Sequence, residues 1–358
     1  MDTAEKTREQ AQLLKNRLLK NHKILRKWAR KNFVAAYRLY DRDIPEIPLA
    51  IDLYEFLPEE VRSPEEAKAF MEEEARRESQ NVPGAAKERL GRTRLKIFLY
   101  ERPYKKPEAE ELEWLEAMTE AAAQGLGIDK NKIAARTRLH DKGGLQYAKK
   151  ESQGDKSDFC GRVFESGMIF FVDLKSYLDT GLFLDMRLAR KMIMEQSEGK
   201  RVLNLFCYTS SFSVAAALGG AKSVQSVDLS NTYLDWSKKN FSLNGFDVDA
   251  FEWTKADAIS FLKECPKKYD LIILDSPTFS NSKSAKNDLD IKRDWAALAN
   301  DALRLLDKGG LLYFSTNARQ FKFDSSLVHC DSVQEITEQS LDEDFKTKKS
   351  HKMWLLQK

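Results

Sequence analysis

The sequence predicts an α/β protein with a doubly wound sheet, preceded by a basic N-terminal helix and a small α+β domain. Two observations lead to this fold class. Short apolar runs at 201–206, 223–227 and 271–274 alternate with helical segments, which is the pattern of βαβ units. Polar residues follow each run directly, as they do where parallel strands end at a ligand site.

Residues 1–40 are predicted to form a basic helical segment. They contain eleven Lys or Arg and three acidic residues, whereas the whole chain has a net charge of only +3. Leu14, Leu18, Leu25 and Trp28 fall on one apolar stripe at helical spacing. A solvated amphipathic helix packed on its own domain would explain the stripe, but the excess positive charge favours contact with an RNA backbone. The residues expected to make that contact are Arg17, Lys20, Lys23, Arg26, Lys27 and Arg30.

Residues 41–158 are predicted to form a small α+β domain that binds RNA. Its strands are expected at 49–54, 95–100 and 133–138, after a first strand at 36–41, and its helix at 107–123. Residues 58–92 are rich in Glu, Ala and Arg, and are interpreted as an insertion that forms a charged surface helix.

A basic loop follows the last of these strands. Arg136, Arg138 and Lys142 precede two glycines and Tyr147, a combination that could hold a phosphate and stack on a base. A plain hairpin loop would explain the same residues.

Residues 159–358 contain the βαβ pattern. A strand at 201–206, a small polar loop and a helix ending at Gly219 lead to a second strand, which ends in Asp228. A carboxylate at that place can accept both hydroxyls of a ribose. The first turn lacks the G-x-G-x-x-G fingerprint, so a pyrophosphate would have no glycine cradle. The pattern therefore argues against NAD and for a nucleoside ligand without a diphosphate.

Two further acids follow strands of the same region. Asp257 comes after a probable strand at 251–255, where it could accept a hydrogen bond from an exocyclic amine such as adenine N6. Asp275 comes after the run 271–274. Each acid alone is typical of a helix cap, but three acids at three successive strand ends favour ligand binding.

Three segments, 203–206, 227–230 and 275–279, resemble those of class I S-adenosylmethionine-dependent methyltransferases. Residues 177–187 and 280–284 narrow the resemblance to the RlmK half of the bacterial enzyme RlmKL, a 23S ribosomal RNA guanine-N7 methyltransferase. This similarity covers nearly the whole chain. It implies the class I Rossmann-like sheet with an antiparallel C-terminal hairpin, the cofactor S-adenosyl-L-methionine, and 23S rRNA or a large-subunit precursor as partner. A separate N2-guanine methyltransferase is a candidate second partner, because RlmKL fuses that activity to this one.

The resemblance also implies the cofactor residues. Asp185 and Arg187 are expected near the methionine end of the cofactor, although a structural ion pair between them would explain their presence. The full set expected to bind the cofactor is Asp185, Arg187, Asn204, Phe206, Tyr208, Thr209, Asp228, Leu229, Ser230, Asp257, Ala258 and Asp275.

Residues 275–279 are expected to receive the target base. Guanine N7 has an in-plane lone pair, so no catalytic base is required. Phe279 is the candidate for stacking on the base, while Asp275, Pro277 and Thr278 would orient its polar edge. Lys283 is expected to contact the RNA beside it.

Other methylation positions make different demands on this segment. Transfer to cytosine C5 needs a cysteine nucleophile, but residues 275–279 contain none and Cys207 lies in the cofactor loop. Transfer to guanine N2 or adenine N6 usually accompanies Asn or Asp followed by two prolines, and here Ser276 occupies the first proline position. The RlmK-like family also has two prolines at this place, and Ser210 stands where that family has a glycine. A catalytically silent RNA-binding or ribosome-assembly module is the third alternative.

Composition restricts the remaining choices. The four cysteines are scattered without metal-ligand spacing, which predicts no metal site and a reducing compartment. No stretch approaches the ~18 apolar residues of a membrane span, and the polar first residues contain no signal-peptide core. These features predict a cytoplasmic protein without a membrane partner. His351 is interpreted as structural.

Overall fold

A computed structural model describes residues 3–104, 106–137, 157–280, 289–347 and 350–358. Three of the expected RNA-binding residues, Arg138, Lys142 and Lys283, lie outside these ranges. The chain divides into two compact units: the described residues up to Thr180 form the first, and those from Gly181 onward form the second.

The first unit combines helices with a mixed four-stranded sheet of order β1-β2-β3-β4. The pairs β1–β2 and β2–β3 are antiparallel, and β3–β4 is parallel. Leu95 and Ile97 of β3 pack with Leu14 and Leu18 of α1 in one apolar core. The elements are α1 (Thr3–Lys31), β1 (Ala36–Asp41), β2 (Leu49–Glu55), α2 (Pro64–Ser79), α3 (Ala85–Arg92), β3 (Thr93–Leu99), α4 (Glu108–Leu126), β4 (Ile133–Thr137), β5 (Cys160–Glu165) and β6 (Met168–Asp173).

The opposite face of this sheet buries charged side chains. Arg38, Asp52 and Lys96 are register neighbours on β1, β2 and β3, and Arg38 donates to Asp52 and to Asp41. The Lys96 ammonium donates to the carbonyl of Leu174. Burial lowers the pKa of Lys96 to about 7, the Arg136 charge adds to this, and nearby carboxylates oppose it. This face is therefore polar but fully enclosed.

The segment 58–92 contains two helices, whereas one charged surface helix was expected. Ser63 caps α2 by accepting the N–H of Glu66 at 3.2 Å, and Pro64 is its first residue. Arg89 of α3 donates to Glu55 of β2 and to Glu78 of α2. The charges on the inner side thus join both helices to the sheet.

The hairpin β5–β6 belongs to the first unit, although the sequence placed it at the start of the second domain. The N–H of Ala35 donates to the carbonyl of Phe164 at 2.9 Å, and Val34 forms a bridge with Glu165. Because the chain just before β1 pairs with β5, the division between units falls after Thr180 and not before Phe159.

The second unit is built on a seven-stranded sheet of order β14-β15-β13-β10-β7-β8-β9. Strands β13, β10, β7, β8 and β9 are parallel, and β15 is antiparallel to β13 and β14. This order confirms the predicted sheet with its antiparallel C-terminal hairpin. The elements are α5 (Arg187–Glu195), β7 (Arg201–Leu205), α6 (Ser211–Leu218), β8 (Ser223–Asp228), α7 (Asn231–Leu243), β9 (Glu252–Lys255), α8 (Ala258–Glu264), β10 (Tyr269–Asp275), β11 (Phe279–Ser280), β12 (Leu289–Asp290), α9 (Ile291–Leu305), β13 (Leu306–Thr316), β14 (Ser332–Glu335), α10 (Thr337–Ser340) and β15 (Lys352–Gln357).

Both faces of this sheet are apolar, which is why helices cover both. In β10, Ile272 and Leu274 belong to the cluster that packs on α8 and α9, whereas Leu271 and Ile273 belong to the cluster on α5 and α6. The strand order reverses between β7 and β10. In open α/β sheets, ligands bind in the crevice outside the strand ends at such a point.

Membrane-spanning helices and metal-binding clusters are both absent from the described residues. None of the described helices is both long and apolar enough to cross a membrane. Within the same residues, no cluster of His, Cys, Asp or Glu side chains could hold a metal ion.

Candidate functional site

Three carboxylates lie at the carboxyl edge of the second sheet. Asp275 ends β10, Asp228 ends β8, and Asp257 follows β9. The strands β10, β7, β8 and β9 are consecutive in the sheet. Neighbouring strands are about 4.8 Å apart, so the outer two carboxylates are separated by roughly 14 Å along this edge. An elongated ligand could therefore contact all three.

Asp228 connects two loops of this edge. Its carboxylate accepts the backbone N–H of Tyr208 and that of Ser230, both at 2.9 Å. Burial raises the pKa of Asp228 to about 6, although these backbone hydrogen bonds favour the ionised form. A backbone hydrogen bond from Leu229 also favours the ionised form, and the carboxylate, with about four acceptor sites, still has capacity for a ligand.

The loop after β7 has an unusual backbone. Phe206, Tyr208 and Ser210 have φ values of 53°, 51° and 59°, in the left-handed region that non-glycine residues seldom adopt. Such conformations persist where the surroundings hold them, and they are common at ligand sites. The Ser210 hydroxyl, which is fully buried, donates to Ser237 Oγ at 2.7 Å. Ser210 thus adopts the conformation that the family's glycine would favour, and hydrogen-bonds in addition.

Gly181 fixes this loop from the other side. Its N–H donates to the Tyr208 hydroxyl at 2.9 Å, and its carbonyl accepts the Thr209 hydroxyl at 2.6 Å. Gly181 has φ 95°, and a Cβ atom there would lie 2.2 Å from the Trp236 ring. No other residue fits this position without movement, so the glycine of the segment 177–187 is required by its contacts.

Asp257 caps a helix, as its sequence context also allowed. Its Oδ2 accepts the N–H of Ser260 at 3.1 Å and the Ser260 hydroxyl at 2.9 Å, at the first turn of α8. A groove of about 550 Å³ adjoins it and is lined in part by Leu229, Ala256 and Phe261. The buried Ala258 begins α8, and Ser230 caps α7 by accepting the N–H of Tyr233.

Asp275 is held by the next strand. Its Oδ1 accepts the Ser315 hydroxyl at 2.6 Å, and Ser315 is its register partner on β13. Burial raises the pKa of Asp275, and the nearby Asp185 charge adds to this rise. The Ser315 hydrogen bond and the charges of His351 and Arg190 oppose it. Within the described residues, Ser315 is the one hydrogen-bond donor to this carboxylate.

Asp185 and Arg187 bind partners on separate segments. Asp185 Oδ2 lies 3.1 Å from His351 Nδ1. Arg187 is buried and lies 3.0 Å from Asp344 and 3.2 Å from Asp342. These carboxylates pair with the Arg187 guanidinium, so its expected place at the methionine end of the cofactor stays a prediction, whereas Asp185 lies in the neighbourhood of Asp275.

The segment after Asp275 presents both buried and exposed groups. The Ser276 hydroxyl is buried and has no hydrogen-bond partner among the described residues. The Thr278 hydroxyl donates to Asn317 Oδ1 at 2.6 Å. Phe279 is 55% exposed, and its backbone pairs with Asp290 in the short β11–β12 ladder. Pro277 is partly buried between them.

Asn204 does not lie at the carboxyl edge of the sheet. Asn204 lies inside the sheet–helix interface, where its amide donates to Ser213 Oγ at 2.9 Å.

The predicted RNA-binding cations of the first unit differ in their contacts. Both Arg26 and Arg30 bind Glu78, and Arg17 lies 3.8 Å from Asp43. Arg136 donates to the carbonyl of Lys175. Of the α1 cations expected to contact RNA, Lys20, Lys23 and Lys27 are exposed.

Sequence reasoning missed three residues beside Asp275. Ser315 carried no signal, because a serine at a strand end is common. Arg190 is fully buried and donates to the carbonyl of Phe183 at 2.9 Å; its spacing of three from Arg187 could have indicated it. His351 was interpreted as structural, and only the fold shows that it reaches Asp185.

Comparisons with known proteins agree with this architecture. The family model of S-adenosylmethionine-dependent methyltransferases matches residues 86–330. The ribosomal RNA large subunit methyltransferase K of Neisseria meningitidis serogroup B is 40% identical over 95% of this chain and 85% of that protein. The K/L enzyme of Stutzerimonas stutzeri is 40% identical over 98% of this chain, which spans 42% of that protein.

Solved structures show the same fold. A methyltransferase complexed with SAH superposes with a TM-score of 0.68 at 20% identity, covering 97% of this chain and 82% of that one. A SAM-dependent methyltransferase from Streptococcus mutans gives a TM-score of 0.67 at 20% identity, covering 97% and 81%.

Proposed function

This chain belongs to the S-adenosylmethionine-dependent ribosomal RNA large subunit methyltransferases of the K and K/L group, and from that membership we propose that it methylates guanine N7 of 23S ribosomal RNA. The cofactor is S-adenosyl-L-methionine. The observation that carries the proposal is the rim at 275–279, where the partly buried Asp275 carboxylate stands next to the exposed Phe279 ring. The substrate is 23S rRNA, free or in a large-subunit precursor.

The carboxyl edge of the second unit fits a nucleoside with an amino-acid tail. Asp228 retains lone pairs for the two ribose hydroxyls. Leu229, Asp257 and Ala258 would hold the adenine at the groove beside α8. The backbone N–H of Tyr208 is directed at Asp228 and is thus unavailable to a phosphate. The residues present therefore suit this cofactor better than a dinucleotide.

The protein's task in this reaction is placement. The cofactor supplies a methyl group that its sulfonium charge already activates. Phe206, Tyr208 and Thr209 form a loop whose conformation is set before binding, so little ordering remains when the ligand binds. The buried edge also excludes water from the reacting atoms.

Asp275 would read the target base through a donor group. An ionised carboxylate only accepts hydrogen bonds, and guanine N7 is an acceptor as well. Asp275 must therefore bind the N1–H or the N2 amine of guanine, together with backbone groups around Pro277 and Thr278. Because N7 needs no proton removed before attack, none of these residues has to act as a base.

Phe279 would hold the base outside the RNA helix. The major groove of A-form RNA is too deep and narrow for side chains, so N7 becomes accessible only in an unpaired or flipped nucleotide. The exposed Phe279 ring offers a stacking surface, worth about 1–3 kcal/mol per base. Its position, four residues after Asp275, allows stacking and edge contacts on one base.

The competing positions are less well supported. Cytosine C5 transfer requires a thiolate, but burial raises the pKa of the Cys207 thiol and the Asp228 charge raises it further. Cys207 is thus held as an inert thiol. Ser276 replaces a proline of both the N2-transfer pattern and the family pattern, so N7 is favoured over N2 by the family resemblance and not by this residue.

Modified transcripts separate the guanine positions directly. We would incubate the protein and tritium-labelled cofactor with a 23S rRNA transcript, and with transcripts containing either 7-deazaguanosine or inosine instead of guanosine. N7 transfer predicts label in the normal and inosine RNAs, no label in the 7-deazaguanosine RNA, and chain cleavage at 7-methylguanosine.

Two outcomes would overturn this function. Label that persists in 7-deazaguanosine RNA and disappears in inosine RNA would identify N2 as the acceptor. No label in any RNA, despite tight RNA binding and cofactor binding, would identify a silent RNA-binding module.

A further inference from the structure

His351 lies where the C-terminal hairpin meets the segment that leads into α5. It directly precedes β15, whose partner β13 carries Ser315, the residue that donates to Asp275. The His351 side chain is 1% exposed. Its Nδ1 is 3.1 Å from Asp185 Oδ2, and its Nε2 is 2.8 Å from Ser340 Oγ. The imidazole therefore joins two segments far apart in sequence, beside the proposed reaction rim.

Donor and acceptor can be assigned in the hydrogen bond between His351 and Asp185. An ionised Asp185 only accepts, so Nδ1 carries a hydrogen and donates to it. Nε2 pairs with the Ser340 hydroxyl, which also lies 2.9 Å from the Thr337 carbonyl. Whichever way that hydroxyl turns, Nδ1 remains the donor to Asp185. Ser340 holds the ring in place, and the ring holds the carboxylate.

The surroundings of the His351–Asp185 hydrogen bond are rich in carboxylates. Four carboxylates from three segments gather here with two guanidinium groups and the imidazole. They are Asp185, Asp275, Asp342 and Asp344, with Arg187, Arg190 and His351. The amino-acid end of the cofactor carries an ammonium group, from which a carboxylate at this place can accept a hydrogen bond.

We propose that His351 is a positioning residue that orients Asp185 to accept a hydrogen bond from the α-ammonium group of the cofactor. This inference rests on the proposed function only through the class of cofactor. A carboxylate has about four acceptor sites, and Nδ1–H occupies one of them. Without that donor, Asp185 loses one of the contacts that orient its carboxylate, and the ammonium loses a preorganised partner.

Two substitutions of His351 distinguish its two ring nitrogens. His351→Asn keeps an amide donor near the place of Nδ1, whereas His351→Gln puts the donor near the place of Nε2. The proposal predicts that S-adenosylhomocysteine binds about tenfold more weakly to H351Q and within about threefold of wild type to H351N, corresponding to one charged hydrogen bond. Isothermal titration without RNA measures both.

Three ligands identify the group that is read. S-adenosylhomocysteine has both ammonium and carboxylate, its decarboxylated analogue keeps only the amine, and 5′-methylthioadenosine has neither. H351Q should weaken the first two about equally and leave 5′-methylthioadenosine unchanged. Equal loss for all three ligands, or H351N as weak as H351Q, would overturn the proposal, because either result indicates a structural role alone.

Controls keep this test independent of folding and of the acceptor position. H329N changes an exposed histidine of the same unit and should alter none of the three affinities. If H351Q does not fold, Ser340→Ala, which removes the Nε2 partner and the bond to the Thr337 carbonyl, should give a smaller loss with the same ligand selectivity. These binding assays need no RNA, so label at a position other than N7 would overturn the proposed function and leave this inference standing.

Discussion

The two units bury charges for different purposes. In the first, buried ions bind one another: Arg38 binds Asp52, and Arg89 binds Glu55 and Glu78. In the second, Arg187 also binds Asp342 and Asp344, but Asp228 and Asp275 have no direct ion pair within the described residues. Backbone N–H groups or a hydroxyl hold these two carboxylates at strand ends, and their pKa values are raised.

The difference teaches how to separate scaffold from site. A buried charged group that is paired with groups of opposite charge has a structural role. A buried carboxylate whose pKa is raised has acceptor capacity left for a ligand, and such groups are typical of functional sites. The predictions below test this distinction, beginning with the largest expected effect.

Removing Arg89 should cause the largest loss of stability. Arg89→Met leaves Glu55 buried without this counter-ion and removes one of the three arginines that bind Glu78, and the loss of a buried partner lowers the free energy of unfolding by about 3–5 kcal/mol. Denaturant unfolding of the first unit would show it. The control Arg76→Met breaks an exposed pair with Glu73 and should change stability by less than about 0.5 kcal/mol. Equal effects would contradict the comparison.

Removing Asp228 should act on ligand binding. Asp228→Ala deletes the acceptor of two ribose hydroxyls, each worth about 1.5 kcal/mol, so affinity for S-adenosylhomocysteine should fall about a hundredfold or more. RNA affinity should stay within about twofold. Asp249→Ala, at an exposed carboxylate of the same unit, is the control. Unchanged ligand affinity in D228A would show that this carboxylate is part of the scaffold.

Three exposed lysines of α1 should contribute to RNA affinity, unlike Arg26 and Arg30, which are paired with Glu78. Replacing Lys20, Lys23 and Lys27 with Gln should reduce the slope of log K against log salt by about 2–3, and weaken RNA binding roughly thirtyfold at 0.15 M salt. Filter binding across a salt series measures both, and an unchanged slope would remove α1 from the RNA interface. The matched control replaces Lys87, Lys263 and Lys308 with Gln.

The raised pKa of Asp228 gives ligand binding a pH dependence. At pH 5 a carboxyl with a pKa of about 6 is about nine-tenths protonated, so ligand affinity should fall about tenfold between pH 7 and pH 5. The contribution of Asp228 to the stability of the free protein runs the opposite way. It is present below about pH 4, and lost as the pH rises through 6. Asp228→Asn should flatten both profiles.

The smallest effect is expected at Ser210. Ser210→Gly relieves a left-handed backbone, worth about 1 kcal/mol, but removes the hydrogen bond to Ser237, worth about the same. The unfolding free energy should therefore change by less than about 0.5 kcal/mol. Ser237→Ala removes this bond and those from Ser237 Oγ to the Tyr208 and Tyr233 carbonyls without relieving the backbone, so it should be destabilising by more than about 1 kcal/mol. A large loss in S210G would mean that the serine is needed for more than this bond.

The sequence predicted the second sheet well, because buried parallel strands are apolar and end at polar residues. The runs at 201–206 and 271–274 overlap β7 and β10. It could not predict the partners of Arg26 or Arg30, because Glu78 is brought to α1 only by the packing of α2. His351 was missed for the same reason: nothing local links it to Asp185, 166 residues earlier.

The place of β5–β6 was also unreadable from local pattern. A hairpin next to the βαβ region looks like its first part, and only the pairing of Ala35 with Phe164 assigns it to the first unit. The proposed roles of the rim residues stay predictions, since they depend on ligands and not on packing.

The buried Lys96 side chain could serve as a chemical probe of local opening in the first unit. An amine with a pKa of about 7 is largely uncharged at pH 8 and is therefore a strong nucleophile, yet full burial shields it from any reagent. Acylation of Lys96 by an amine-reactive probe, followed by mass spectrometry, would then proceed only as often as the sheet opens. Its rate would report local opening of that unit over hours in the native protein, without denaturant.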